Sequence, residues 1–394
     1  MRSVESAAFT FLVPAGCVHD AGDKGGLAGF TCDMLTRGAG ARDSRQLIDG
    51  LDQLGLERGE AVSSAHTSFS GALLASDLPA ALEIYADILQ RPRLPIDQLE
   101  SSRQVMLQEL ESVEDDPHQK VILELRRRHY ADAWGLPSQG DLEGLEAIGI
   151  EDVRRSFAQH YHPNGAILGV AGRIDWDQLR AQVERLFGAW KPREEPPVTG
   201  AGERIRRDHV EFEGQQTHIG IAYDSVPYRH PDYFQAWGAV GALSGGMSSR
   251  YFTEVREKRG LCYTVYASYQ TLRDRATVIS YAGTSADRAQ ETLDVMLAEL
   301  GRLAHGILPH EIDRLKARIK SSLIMQQESS SARSSAIARD WYHLGRVRTL
   351  DEIGSRVDAL SVDSINAYLA QNPPRDFTVV TLGPEPLEVP ERVS

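Results

Sequence analysis

The chain is poor in cysteine. Cys17, Cys32 and Cys262 are its only three in 394 residues. An odd number at such wide spacing implies no disulfide framework, so the fold has to stand on its core. Long apolar runs are missing too: nothing approaches the roughly 20 residues that span a bilayer as a helix. No secretory leader is legible either. Met1-Arg2-Ser3 leads into the segment from Ala7 to Pro14, which is short, ends on proline and alternates like a strand. A cytoplasmic protein with no membrane partner is the expectation. Positive charge is in deficit, 43 Lys and Arg against 56 Asp and Glu, a net charge of −13. Nucleic acid and anionic lipid repel such a surface, so neither is expected as the main partner. Gly38-Ala39-Gly40 lacks the Lys-Ser/Thr that completes a phosphate loop.

The length exceeds what one ordinary core covers, and predicts two domains or a duplicated one. The stretch Lys191-Pro192-Arg193-Glu194-Glu195-Pro196-Pro197, continuing to 204, is proline-rich and charged with no apolar period. It reads as a linker between a domain over 1–190 and another over 205–394. The halves look like copies. Ala147-Ile148, Asp152-Val153 and Ala158-Gln159 recur as Ala359-Leu360, Ser364-Ile365 and Ala370-Gln371, and both sets lead into a strand ending at Gly172 or Gly383. Leu82-Glu83-Ile84 has a counterpart in Leu293-Asp294-Val295, and Leu94-Pro95 in Leu308-Pro309. Ordered matches at a nearly constant offset favour duplication.

Each half mixes periods. Asp77 and Pro79 start a helix through Leu89, and Leu99, Met106, Leu110 and Val113 form a stripe on the next. Val62–Leu73, His218–Tyr223, Leu261–Tyr269 and Ala276–Ala282 read as strands. The order suits an α+β fold: two homologous domains, each a largely antiparallel sheet with helices packed on one face.

One segment carries chemistry. Ser248 to Arg259 reads as a helix ended by Gly260, followed at once by a strand. Alternation puts Tyr263, Val265, Ala267 and Tyr269 on one face of that strand and Cys262, Thr264 and Tyr266 on the other. A tight helix–Gly–strand corner lets Arg256 and Tyr263 converge. Together they offer a fixed cationic fork and a phenolic donor, suited to a carbonyl that becomes an oxyanion. The bland reading is a surface cation and a half-buried sheet tyrosine. Cys262 reads as a structural thiol, and His160 and His162 as a helix end.

The wording from Glu254 to Tyr266, with Gly245-Gly246-Met247 before it, resembles pitrilysin-type zinc peptidases of the mitochondrial-processing-peptidase-like branch. In that family an Arg and a Tyr seven residues apart grip the substrate opposite an inverted zinc motif, His-x-x-Glu-His. Arg256 and Tyr263 keep the spacing. The matching first-half segment here is Gly26-Leu27-Ala28-Gly29-Phe30-Thr31-Cys32-Asp33. Gly29 and Asp33 stand where the two His ligands belong, and Cys32 where the Glu base belongs. Glu109 falls in the segment resembling the one that holds the third ligand, and a lone carboxylate does not hold catalytic zinc.

The resemblance implies two similar halves joined into a clamshell, with no metal in this chain. It implies a heterodimer with a homologous subunit whose His-x-x-Glu-His is intact and which carries the zinc. Arg256 and Tyr263, with Gly245 and Gly246 beside them, would bind the backbone of peptide or unfolded-segment substrates. The alternative is an inert structural or substrate-holding homologue.

Overall fold

The structure is a computed structural model that describes residues 4–20, 22–194, 198 and 202–390. Residues 1–3 of the N-terminal reading, and 195–197 and 199–201 of the expected linker, lie outside the described residues. In chain order the first half runs β1 (Ser6–Val13), α1 (Leu27–Leu35), a ribbon of β2 (Gly38–Ala39) and β3 (Arg42–Asp43), α2 (Ser44–Asp52), β4 (Glu57–Val62), β5 (Thr67–Leu74) and α3 (Leu78–Gln90). It continues with α4 (Leu99–Glu114), α5 (Pro117–Tyr130), α6 (Leu142–Ala147), α7 (Ile150–His160), β6 (Ile167–Gly172) and α8 (Trp176–Phe187). The second half runs β7 (Arg207–Glu211), β8 (Gln216–Ser225), α9 (Tyr233–Ser244), a π-helical turn at Phe252–Glu257, β9 (Cys262–Thr271), β10 (Ala276–Ser285) and α10 (Ala289–Ala304). It ends with α11 (Pro309–Glu328), α12 (Ser330–Leu344), α13 (Leu350–Asp358), α14 (Val362–Gln371) and β11 (Thr378–Gly383).

The chain condenses into two compact units. The first contains Met1–Ser112, Asp132–Ala201 and Gln326–Tyr342; the second contains Val113–Ala131, Gly202–Met325 and His343–Ser394. Each unit therefore includes one helix from the opposite half of the sequence, nearly all of α12 in the first and α5 in the second.

The first unit is built on a four-stranded sheet in the order β4-β5-β1-β6, all antiparallel. Strand β1 shows why both faces are covered. Phe9, Phe11 and Val13 point into the main core with Phe69, Leu82 and Tyr85. Thr10, between them, faces the other way and bonds Ser334 of α12 at 3.0 Å. The backbone of α12 comes so close to β6 that a Cβ at Gly169 would sit 2.5 Å from the Ser334 carbonyl. The second unit holds a five-stranded sheet, β7-β11-β8-β10-β9, parallel only between β7 and β11. Ile219, Ile221 and Tyr223 of β8 face the core shared with α9, α10 and α14. On the other face Val121 and Leu125 of α5 pack on Ala222, Ile279 and Val380. The buried ring of His129 fixes α5 through Thr378 Oγ1 (3.0 Å) and Asp224 Oδ1 (3.1 Å).

The sheets are antiparallel and the two units are alike, as duplication requires. The internal matches fall in corresponding elements: α3 with α10, the approaches to α4 and α11, α7 with α14, and β6 with β11. One expected strand is corrected. Val62–Leu73 is the end of β4, a turn and then β5, because Ser63 accepts the His66 N–H through its hydroxyl and pairs with the His66 carbonyl, reversing the chain.

Candidate functional site

The stretch from Ser248 to Arg259 is not one regular helix. After a short turn at Arg250 and Tyr251 it widens into the π-helical turn Phe252–Glu257. The Lys258 N–H reaches back five residues to the Thr253 carbonyl at 3.0 Å. Such turns are rare and cluster at functional sites. Two side chains pin it from below: Val255 is fully buried, and buried Tyr251 bonds Ser280 Oγ at 3.1 Å. Arg250 is structural, forked onto Glu311 at 2.7 and 2.8 Å. Gly260 ends the turn in the left-handed region (φ 62°), as the sequence predicts, and β9 starts two residues on.

The strand does not alternate as expected. Thr264 pairs with Gly283, but the next pair is Cys262 with Thr284, so Tyr263 has no partner on β10. This β-bulge throws Tyr263 outward, leaving it 81% exposed. It also turns Cys262 toward the core side occupied by Val265, Ala267 and Tyr269, correcting the expected face assignment. Burial pushes the Cys262 thiol up to about 11, against the opposing pull of Arg256, so it is no nucleophile.

Arg256 and Tyr263 do converge. The Arg256 guanidinium carbon lies 4.9 Å from the centre of the Tyr263 ring and 4.8 Å from that of Phe252. Two aromatic rings thus hold the cation. The neighbouring cations are paired otherwise, since Glu254 takes both Lys258 (2.7 Å) and Arg259 (2.9 Å). Arg256 has no carboxylate partner among the described residues, and its N–H edge remains available to a ligand. Phe252 was missed from the sequence, although its i−4 spacing to Arg256 is a usable signal. Gly245 and Gly246 follow α9 and lead into the same turn through Ser249 N–H to Gly246 O (3.0 Å) and Thr253 N–H to Ser249 O (2.9 Å). Gly246 adopts φ 130°, and a Cβ on Gly245 would meet the Gly241 carbonyl at 2.1 Å.

In the first unit, α1 brings Gly29, Cys32 and Asp33 to one face, beside a cavity of about 360 Å³ that Glu60 and Glu109 also line. The family's zinc does not fit these residues. Gly29 has no ligand atom, and its space is taken: a Cβ there would lie 2.9 Å from both the Met106 methyl and the Ser138 carbonyl. Asp33 is bonded to Arg37 (2.6 Å) and to the Ser102 hydroxyl (2.5 Å). Burial, then Glu60, Asp33 and Glu109, push the Cys32 thiol far above its usual range, away from thiolate. Burial and Asp33 likewise raise Glu109. Among the described residues no three His, Cys, Asp or Glu are placed to hold a metal ion.

The fold and its two corners define a duplicated α+β protein with a polar donor pair in one unit and a closed-over ligand position in the other. Two family descriptions match the chain: "Insulinase (Peptidase family M16)" over residues 2–137 and "Peptidase M16 inactive domain" over residues 147–319. The uncharacterized zinc protease YmxG of Bacillus subtilis is 26% identical over 97% of this chain and 94% of its own length. An uncharacterized zinc protease of Streptomyces coelicolor is 28% identical over 98% and 86%. The crystal structure of a peptidase M16 inactive domain from Pseudomonas fluorescens superposes with a TM-score of 0.88 at 22% identity, covering 99% of this chain and 95% of that one. The chain belongs to peptidase family M16, the pitrilysin-type metallopeptidases. No helix among the described residues is long and apolar enough to cross a membrane.

Proposed function

We propose that this chain is the non-zinc-binding subunit of a heterodimeric M16 peptidase. A homologous companion with an intact His-x-x-Glu-His would supply the metal and the base, and this chain would supply Arg256 and Tyr263. The observation that carries the reading is the unpaired Arg256 guanidinium, held between Phe252 and a Tyr263 that the bulge turns out of the sheet. An exposed aromatic and an unpaired cation kept in register have no evident structural use.

The chemistry follows from the donors. A guanidinium clamped by its faces keeps its planar N–H edge oriented, and a phenol beside it adds an O–H. Both donate to a peptide carbonyl oxygen. As attack turns that oxygen into an alkoxide, the bonds become charge-assisted and strengthen. Pre-positioned donors of this kind are each worth about 2.7–4 kcal/mol at the transition state. Gly245 and Gly246 would leave the backbone open beside exposed Met247, giving an extended substrate room to approach. The companion's zinc is not part of this chain.

The test is zinc-dependent hydrolysis of a quenched peptide by this chain, by the companion and by their mixture. Cleavage by the mixture alone, abolished by Arg256→Ala with Tyr263→Phe while the subunits still associate, supports the split site. A companion fully active alone, or variants without effect, would make this chain a structural homologue instead.

A further inference from the structure

A sheet edge presents a row of unpaired N–H and C=O groups, and proteins usually blunt it with charge, proline or short length. Three of the four edges in this chain are managed in that way. Strand β4 has six residues and carries Glu57, Arg58 and Glu60; β7 has five and carries Arg207, Asp208 and Glu211; β6 has six and ends at Gly172. The fourth edge, β9, differs. It has ten residues, Cys-Tyr-Thr-Val-Tyr-Ala-Ser-Tyr-Gln-Thr, with no charge and no proline. It pairs only with β10, and from Thr264 to Thr271 the register is unbroken. Among the described residues no other backbone group bonds to it. Such a strand is rich in β-forming residues and would be an aggregation hazard if nothing covered it.

We infer that the free edge of β9 binds an extended polypeptide by strand addition, beginning beside Tyr263 and running toward Thr271. The chemistry of the edge selects the occupant. In an antiparallel strand, alternate residues turn both backbone groups away from the existing partner, and only another extended backbone matches that spacing. The bulge places the Arg256 and Tyr263 donors at the start of the same edge, so a strand laid on β9 continues into them. A second copy of this chain is disfavoured as occupant by the charge of −13 that each copy carries. The choice of a substrate peptide rests on the reading of Arg256 and Tyr263 as a backbone-binding pair. The free edge itself does not.

The experiment uses the full chain and a labelled dodecapeptide, four Thr-Val repeats between Lys-Lys ends. Its twin carries methyl groups on all eight central backbone nitrogens, with equal charge and no strand-pairing N–H. Anisotropy should show at least tenfold weaker binding of the twin. Hydrogen exchange should slow within residues 262–271 on adding the parent peptide, and should stay unchanged within 57–62. Equal binding of the twins, no binding of the parent, or binding without slowed exchange in β9 overturns the inference. So does slow exchange in β9 that appears with rising chain concentration and no peptide, which would make the occupant a second copy. Failure of the pair is read separately: it appears as intact cleavage by the mixture containing Arg256→Ala, whatever happens to exchange at β9.

Discussion

The cavity beside α1 and the corner around Arg256 treat polar groups in opposite ways. At α1, every group that might act on a ligand has been satisfied or silenced: Asp33 is held by Arg37 and Ser102, and Cys32 is kept neutral by burial. The Met106 methyl and the Ser138 carbonyl close on the Gly29 backbone. At the other corner, Glu254 neutralises Lys258 and Arg259 but leaves Arg256 unpaired, and the sheet breaks its own register to expose Tyr263. A site released from chemical demand relaxes toward internal pairing. A site that holds donors open against internal pairing still answers to a ligand, which is the physical content of the proposed split active site.

The largest expected effect breaks the comparison directly. Arg256→Ala, and separately Tyr263→Phe, should each lower kcat of the mixed enzyme about 10²–10³-fold, the usual consequence of losing an oxyanion donor. Neither should shift the melting temperature much, because both side chains act outside the core. Wild-type turnover in both variants would place the two corners on an equal, inert footing.

Acid stability separates the units next. His160 is buried at the end of α7, its ring stacked 4.5 Å from His19, and burial, then His19 and His162, lower it to about 4. A histidine with a depressed folded value is held neutral, so between its unfolded value of ~6.5 and ~4 the unfolded chain binds more protons. Stability is therefore full above about pH 6.5 and is lost as pH falls through that window, by up to about 3 kcal/mol. Urea titrations of wild type and His160→Phe from pH 7 to 4 should show a flatter profile in the variant. Parallel profiles would show that His160 is not held neutral.

A third prediction asks whether the closed corner can be reopened. Gly29→His, Cys32→Glu and Asp33→His together restore the family's inverted motif in wording. The Cβ introduced at position 29 would still meet the Ser138 carbonyl, which is backbone and yields little. The triple variant should bind no stoichiometric zinc by metal analysis, and should lose about 1–3 kcal/mol to overpacking. One tightly held zinc per chain would mean the corner had lost only its ligand atoms and not its shape.

Much of this was legible in the residues, and the reasons differ by level. The spacing of Arg256 and Tyr263 with Gly260 between them announced a helix-to-strand corner, since a left-handed glycine is a local requirement. The duplication showed in matches that now fall on α3 and α10, α7 and α14, β6 and β11. The π-helical turn and the bulge at Tyr263 were not legible. Both add a residue to a repeat without changing its composition, and the alternation rule then assigns Cys262 to the wrong face. The places of α5 and α12 were equally hidden. Each follows its predecessor after a short turn, and only the small contact at Gly169, or Thr10 bonding Ser334, reveals which sheet receives it. These are long-range facts, and local periodicity carries none of them.

The smallest effect concerns Phe252, and it sharpens the comparison most finely. If Arg256 works because two rings fix its plane, removing one ring should loosen the guanidinium without removing it. Phe252→Leu keeps an apolar side chain of similar reach but deletes the ring face 4.8 Å from the guanidinium carbon. At a solvent-accessible site a cation–π contact is worth about 0.5–1 kcal/mol, so kcat/KM should fall only about two- to fivefold. Phe252→Tyr, which restores a ring, should recover most of that loss. A merely structural Phe252 would instead lower the melting temperature in the Leu variant with activity per folded enzyme unchanged. If Leu and Tyr behave alike, the Tyr263 ring alone orients the cation, and the open corner depends on the bulge rather than on the π-helical turn.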